Sequence, residues 1–380
     1  MRGILSIILI SLFAALPAAA QNSCDNPFEG AGSIRFSASY WNLTDFCQHS
    51  VPFSEIRSGG PPPDGIPPLD DPQFETVAAA GAWLQAQSPV IALEIEGEAK
   101  AYPLAILIWH EIANDTVGGV PVAVTYCPLC NSAIVFDRRV GDQTLTFGVS
   151  GNLRNSDLIM WDRQTQSWWQ QFTGEGIVGV YTGTQLDFLP SQIVGFGTFA
   201  ERYPDAQVLS RETGYSRSYG ANPYAGYDSA QTPFLFEGEI DPRLPAMERV
   251  LAGRIGGEAV AYPFSLLQET GVINDTAGGL PVVALWQSGV TSALDAGSID
   301  ASRDIGTAAL YSRELDGQTL TFWIDEAGVL RDDATSSAWN VFGEAVEGEL
   351  AGARLELQLA APHLWFAWAA FRPDTRVYGG

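Results

Sequence analysis

Short apolar runs, broken by turn residues, set the pattern of this chain. Val90-Ile91-Ala92-Leu93-Glu94-Ile95 predicts a strand, Glu96-Gly97-Glu98 a turn, and Ala99-Lys100-Ala101-Tyr102 the returning strand. Pro103 ahead of Leu104 to Trp109 predicts a short helix that delivers His110 and Glu111. Asn114-Asp115-Thr116-Val117-Gly118-Gly119 predicts a turn, and Val120 to Val124 a strand running into Tyr126. Ser132 to Phe136 predicts the next strand, with Thr144 to Phe147 returning after Gly141-Asp142. Leu158 to Trp161 and Ser167 to Phe172 extend a meander, while Thr76 to Leu84 and Thr198 to Tyr203 predict further short helices. The expected class is α+β, rich in antiparallel β with short helices.

The pattern then recurs. Gly97 to Pro103 returns as Gly257 to Pro263, and Asn114 to Val122 as Asn274 to Val282, each 160 residues on. Gln143-Thr144-Leu145-Thr146-Phe147 returns as Gln318 to Phe322. An internally duplicated fold follows, with an insertion near 287–309 in the later copy. The expected organisation is a signal peptide at 1–20, an extended Pro/Gly-rich arm at 21–73, and a first unit at 74–210. An aromatic crossover at 211–245 and a second, degenerate unit at 246–380 complete it.

The leader reading rests on Arg2, an apolar stretch from Ile4 to Leu16 and the small residues Ala18-Ala19-Ala20, and it predicts a periplasmic or secreted protein. No later run is long enough to span a bilayer once that leader is cut. A net charge of −24, with Lys100 the one lysine, argues against nucleic-acid or anionic-lipid partners and reads as a solubilising acidic coat. In an exported chain, Cys24 and Cys47 form a disulfide that pins the arm.

That leaves Cys127 and Cys130 in Tyr126-Cys127-Pro128-Leu129-Cys130-Asn131. Both copies keep the Tyr-Pro pair, the Asn-Asp-Thr stretch and the Gly-Gly, whose roles are local: Pro opens a helix, Gly takes positive φ, and Asn or Asp closes the turn. The second copy loses the chemistry. At the same spacing His110 becomes Thr270, Glu111 Gly271, Tyr126 Trp286, Cys127 Gln287 and Cys130 Val290. The loop Ser150 to Asp157 has no counterpart there either.

These residues, with Phe147-Gly148-Val149-Ser150-Gly151, Arg154, Asp157 and Asp162 to Trp169, resemble a bacterial family catalogued only as a domain of unknown function, number 3179. The resemblance is close over 74–210, continues through Asn222 to Tyr227, and brings no reaction with it.

Three readings of the Cys-x-x-Cys turn stand open. His110, Cys127 and Cys130 can form a soft site for copper or zinc, with Glu111 as fourth ligand or as a partner orienting His110. The site is then catalytic or exchanges metal with a donor or acceptor. Alternatively the pair is a redox dithiol whose thiolate His110 stabilises, although a strand rather than a helix follows it. In the third reading it is a structural disulfide in a non-enzymatic binding or scaffold protein. Tyr126, Asn131, Ser150, Arg154, Asn155 and Asp157 are candidates for a wall around a small-molecule substrate, Arg154 supplying a cation for an anionic group. The bland account of that loop is an Arg154–Asp157 pair. The sequence carries no phosphate-binding Gly loop, Gly-x-Ser-x-Gly elbow or His-Glu-x-x-His.

Overall fold

Pro89–Ile95 and Glu98–Pro103 form the predicted hairpin, with Val90 opposite Pro103 and Ile95 opposite Glu98. In the computed structural model, which describes residues 24, 26–30 and 33–380, this hairpin is the centre of a five-stranded sheet. Gln192–Gly195 flanks it on one side, and Gln207–Leu209 then Phe74–Thr76 on the other. The leader lies outside the described residues. Among those residues no helix is long and apolar enough to cross a membrane.

The helix Leu104–His110 starts directly after Pro103, whose fixed φ of −62° suits a helix entry. Its chain is buried almost throughout, so it fills the space between sheets rather than lying on a surface. The predicted turn at Asn114 is instead part of a strand, Ile112–Val117, and only Gly118-Gly119 turn the chain, at φ +56° and +78°. Asn114 does not close a turn on its own backbone. Its amide donates to Phe147 O and accepts from Phe147 N, at 2.8 and 2.9 Å, and so ties this sheet to the next. Asp115 takes the Lys100 ammonium at 3.0 Å and the Tyr102 hydroxyl at 2.6 Å. Thr76 caps a single helical turn, Val77–Ala80, shorter than predicted because Gly81 and a reversal follow it.

Val120–Cys127 and Ser132–Asp137 continue the second sheet, and Phe147–Arg154, Asp157–Asp162, Trp168–Gln170 and Gly176–Val178 make a third, extended by Ile56–Ser58 from the arm. The arm is not loose. Phe36, Trp41, Phe46 and Phe53 bury their rings around Trp168, and the predicted Cys24–Cys47 disulfide is formed, with Cα atoms 5.8 Å apart.

The later segment repeats several of these arrangements. Val250 pairs with Pro263 and Ile255 with Glu258, the register of the first hairpin. Asn274 holds Phe322 by the same two backbone bonds. Where Lys100 is replaced by Val260, Arg376 reaches in from a neighbouring strand to the matching acids, Glu258 at 2.7 Å and Asp275 at 2.8 Å. The half-buried acid Asp275 therefore keeps a cation from a different part of the chain. Contacts such as Ser132–His363 and Glu94–Arg354 join the early and late parts of the chain, and the largest core cluster runs through both.

Candidate functional site

The strand Val120–Cys127 ends where Pro128 opens one 3-10 turn, Pro128–Cys130. Asn131 ends the turn in the left-handed region at φ +48°, which Asn tolerates better than most residues, and Ser132 then pairs directly with Cys127. This tight loop holds both sulfurs in the interior, Cys127 at 2% exposure and Cys130 at 0%. The two sulfurs are not bonded to each other in this structure.

The opposite wall is the hairpin of Phe147–Arg154 and Asp157–Asp162. The predicted loop after Gly151 is strand as far as Arg154, with a bulge between Val149 and Leu153. The turn is only Asn155-Ser156, at φ +52° and +64°, the pair of positive values that a two-residue hairpin turn of this hand requires. That turn brings Ser156 O within 3.8 Å of Cys127 Sγ and 3.6 Å of Cys130 Sγ. Asp157 follows, fully buried. Its Oδ2 accepts from Gln170 Nε2 at 2.6 Å and from Phe172 N at 2.9 Å. Its Oδ1 is buried with no hydrogen-bond partner. The two sulfurs and an Asp157 oxygen lie within 4.8 Å of one another.

His110 is not part of this cluster, a correction to the predicted ligand set. Its Nδ1 lies 2.7 Å from Pro67 O and its Nε2 2.7 Å from Tyr219 Oη. A carbonyl only accepts, so Nδ1 carries the proton and Nε2 accepts from the tyrosine. With both nitrogens engaged, the ring clamps the arm to the crossover, and burial pulls its pKa down. Asp157 takes the place assigned to the imidazole.

Glu111, next along the chain, lies close enough for its charge to act on Asp157 and Cys127. It sits at φ +59°, ψ −30°, immediately after the helix. The later segment has Gly271 at φ +70°, ψ −31° in the same position. A glycine-type conformation is thus occupied here by a glutamate, whose Cβ makes it strained. Burial, and then the charge of Asp157, push the Glu111 carboxyl up to about 8. Burial likewise pushes Asp157 up to about 7 and raises both thiols, Cys130 well above its usual value. Glu111→Gly in the metal-free protein should therefore raise stability at pH 9, by about 1–2 kcal/mol from relief of strain and of a buried charge. Urea midpoints of the two proteins measure it, and a lower midpoint for the variant would mean the carboxylate is compensated by a contact.

The aromatic crossover closes the site from above. Tyr227 Oη donates to Leu129 O at 2.9 Å, Trp109 Nε1 to Ala221 O at 3.2 Å, and Ser156 Oγ to Phe234 O at 2.8 Å.

The proposed substrate wall is only partly assembled. Tyr126 is buried and its hydroxyl lies 3.2 Å from Asn131 Oδ1, both beside the cysteine loop. Ser150 bonds Ile159 O within its own sheet. Arg154 pairs with Glu55 at 2.7 Å and lies over the Phe371 ring. Its charge is already neutralised, and not by Asp157. Asn155 is a turn residue that lines a separate surface pocket with Arg35 and Glu237. Asp157 was the one missed ligand candidate. The signal for it was in the hairpin: Phe147 pairs with Asp162 and Phe322 with Asp332, so the early hairpin is five residues longer, and Ser156 and Asp157 lie in that extra length.

No curated protein and no solved structure matches this sequence. Residues 63–375 match a family described as "Protein of unknown function (DUF3179)", a span that includes the cysteine turn, the long hairpin, the crossover and most of the later segment. The chain belongs to the DUF3179 family.

Proposed function

We propose that this is an exported zinc-binding protein whose ion is held by Cys127, Cys130 and Asp157. The observation that carries the reading is Asp157: one of its carboxylate oxygens lies within 4.8 Å of two free buried sulfurs, and its Oδ1 is buried without a hydrogen-bond partner by distance and angle. Its nearest donors are the thiols of Cys127 and Cys130, whose weak hydrogen bonds pull the Asp157 pKa down against burial, and a cation among the three groups would satisfy the carboxylate better than a thiol does. The donor set is two soft sulfurs and one hard oxygen, which suits the borderline Zn²⁺ better than copper. Three protein ligands leave one position of a tetrahedral ion free, the arrangement of catalytic rather than structural zinc sites. Glu111 stands near as a carboxylic acid able to exchange a proton.

The redox alternative fits less well, because reactive dithiols have a lowered thiol pKa and these are raised. The recurring registers and the Asn114/Asn274 bonds support two copies of one unit, of which only the first kept the site. The Cys24–Cys47 bond supports an oxidising, extracytoplasmic location.

Full-length protein reduced at Cys127 and Cys130 and dialysed against Zn²⁺ should retain one ion per chain by mass spectrometry. The Cys127→Ser/Cys130→Ser double variant should retain none, and His110→Ala should retain one. Copper in place of zinc under the same conditions tests the metal preference. Wild-type protein that holds no ion while both thiols titrate freely after unfolding would end the reading.

A further inference from the structure

A cavity of about 340 Å³ lies between the early and late parts of the chain, within the size range of small-molecule sites. One wall is Ser132–Asp137, through Ala133 to Val135, and the other is Ala360–Leu364 with Arg249–Ile255. Phe172, Phe188 and Trp368 supply aromatic lining, and Leu359, at 46% exposure, is an apolar side chain left in solvent at the same cavity.

Two cations, Arg254 and Arg372, complete the lining. In this strongly acidic chain most arginines are tied to carboxylates, such as Arg154 to Glu55 and Arg376 to Asp275. Among the described residues neither Arg254 nor Arg372 has an acid within ion-pair distance. Each donates only to one nearby backbone carbonyl, Gly257 O and Phe371 O. Asp374 and Glu175 act on Arg372 only from farther off, and burial together with the charge of Arg254 holds its pKa down. Arg254 is exposed and Arg372 half-buried, so water screens part of their repulsion, and the pair is left free to hold an anion at the cavity.

His363 adds a polar group to the lining. It is 97% buried, and its Nδ1 lies 3.1 Å from Ser132 Oγ. No described residue bonds its other nitrogen.

We propose that this cavity binds a small amphiphilic organic anion, its apolar body against Phe172, Phe188 and Trp368 and its anionic head between Arg254 and Arg372. The guanidinium fork suits a carboxylate or a sulfonate head. The site is independent of the metal reading, although its wall touches the same elements: the backbone of Phe172 holds Asp157.

Calorimetry of full-length protein with octanoate, octanol and octylammonium tests it. Octanoate should bind at least tenfold tighter than octanol, and octylammonium should not bind. Arg254→Gln/Arg372→Gln should weaken octanoate tenfold or more and leave octanol unchanged, while Arg254→Lys/Arg372→Lys keeps octanoate binding within a fewfold. Ala361→Trp, which fills the cavity, should abolish both. Equal affinity for octanoate and octanol, no octanoate binding by wild type, or octanoate binding indifferent to both the Gln pair and the filling variant would each overturn the assignment. A matched melting curve for each variant separates loss of the site from loss of the fold.

Discussion

Zinc affinity should climb by roughly a thousandfold per pH unit below pH 7 and a hundredfold per unit above it, because each ligand must shed a proton to bind. The sign follows from the metal-free state. Burial holds both thiols protonated through neutral pH and holds Asp157 protonated up to about 7. Raising the pH removes protons that compete with the ion, so affinity rises. Three protons are displaced below pH 7. Above it Asp157 is already ionised and two remain. Competition against a chromophoric chelator at pH 6, 7 and 8 measures the slope. Asp157→Asn should weaken binding at every pH and lower the slope by about one below pH 7, since a proton no longer leaves that position. A flat profile would be incompatible with thiolate ligation at this site.

The second large effect is on acid stability and comes from His363. Burial pulls this imidazole down to about 3. It lies against the rings of Phe172 and Trp368, with centroids 4.8 and 5.3 Å away, and no acid balances a positive charge there. Unfolded, the same residue titrates near 6.5. Between the two values the unfolded chain binds a proton that the folded chain refuses. The stabilising contribution is therefore complete above pH 6.5 and is lost as pH falls toward 3. At about 1.4 kcal/mol per unit, a few kcal/mol disappear between pH 7 and pH 4. Asp157 and Glu111 work the other way, since acids with raised pKa values favour the folded state at low pH. Comparison with His363→Gln cancels their effect. Urea unfolding at pH 7 and pH 4 should show the wild type losing about 3 kcal/mol more than the variant over that interval. Parallel losses in the two proteins would mean that the ring takes up a proton without leaving its place.

Much of the frame was legible because it is written locally. Alternation and turn residues gave the Pro89–Ile95 and Glu98–Pro103 hairpin, and Pro103 marked the helix start. Cysteine placement gave the Cys24–Cys47 bond. What was not legible depended on contacts far along the chain. Asn114 reads as a turn former, yet its partner is a backbone 33 residues away. The choice between His110 and Glu111 turned on one backbone angle at the end of a helix, and nothing in the spacing of His110 from the cysteines reports it. The chain reverses at Glu111, the imidazole meets Pro67 and Tyr219, and the Glu111 carboxyl is the group whose charge is felt at Cys127. The comparison of the two segments did mark Glu111, as the residue standing where the other has Gly271. It also offered the longer hairpin that carries Asp157, a difference in length rather than in motif.

The hydroxyl of Tyr227 and the backbone of Phe234 reach the site from more than ninety residues downstream of the sulfurs. On the proposed export route, a chain threaded across a membrane from its N-terminus presents four cysteines to an oxidising milieu before its own cover exists. Four thiols allow three pairings, and only one leaves Cys127 and Cys130 unjoined from Cys24 and Cys47. Early capture of an ion by the tight loop, or early bonding within the arm, would keep the scrambled isomers from forming. On that route, maturation is a race between oxidation and closure.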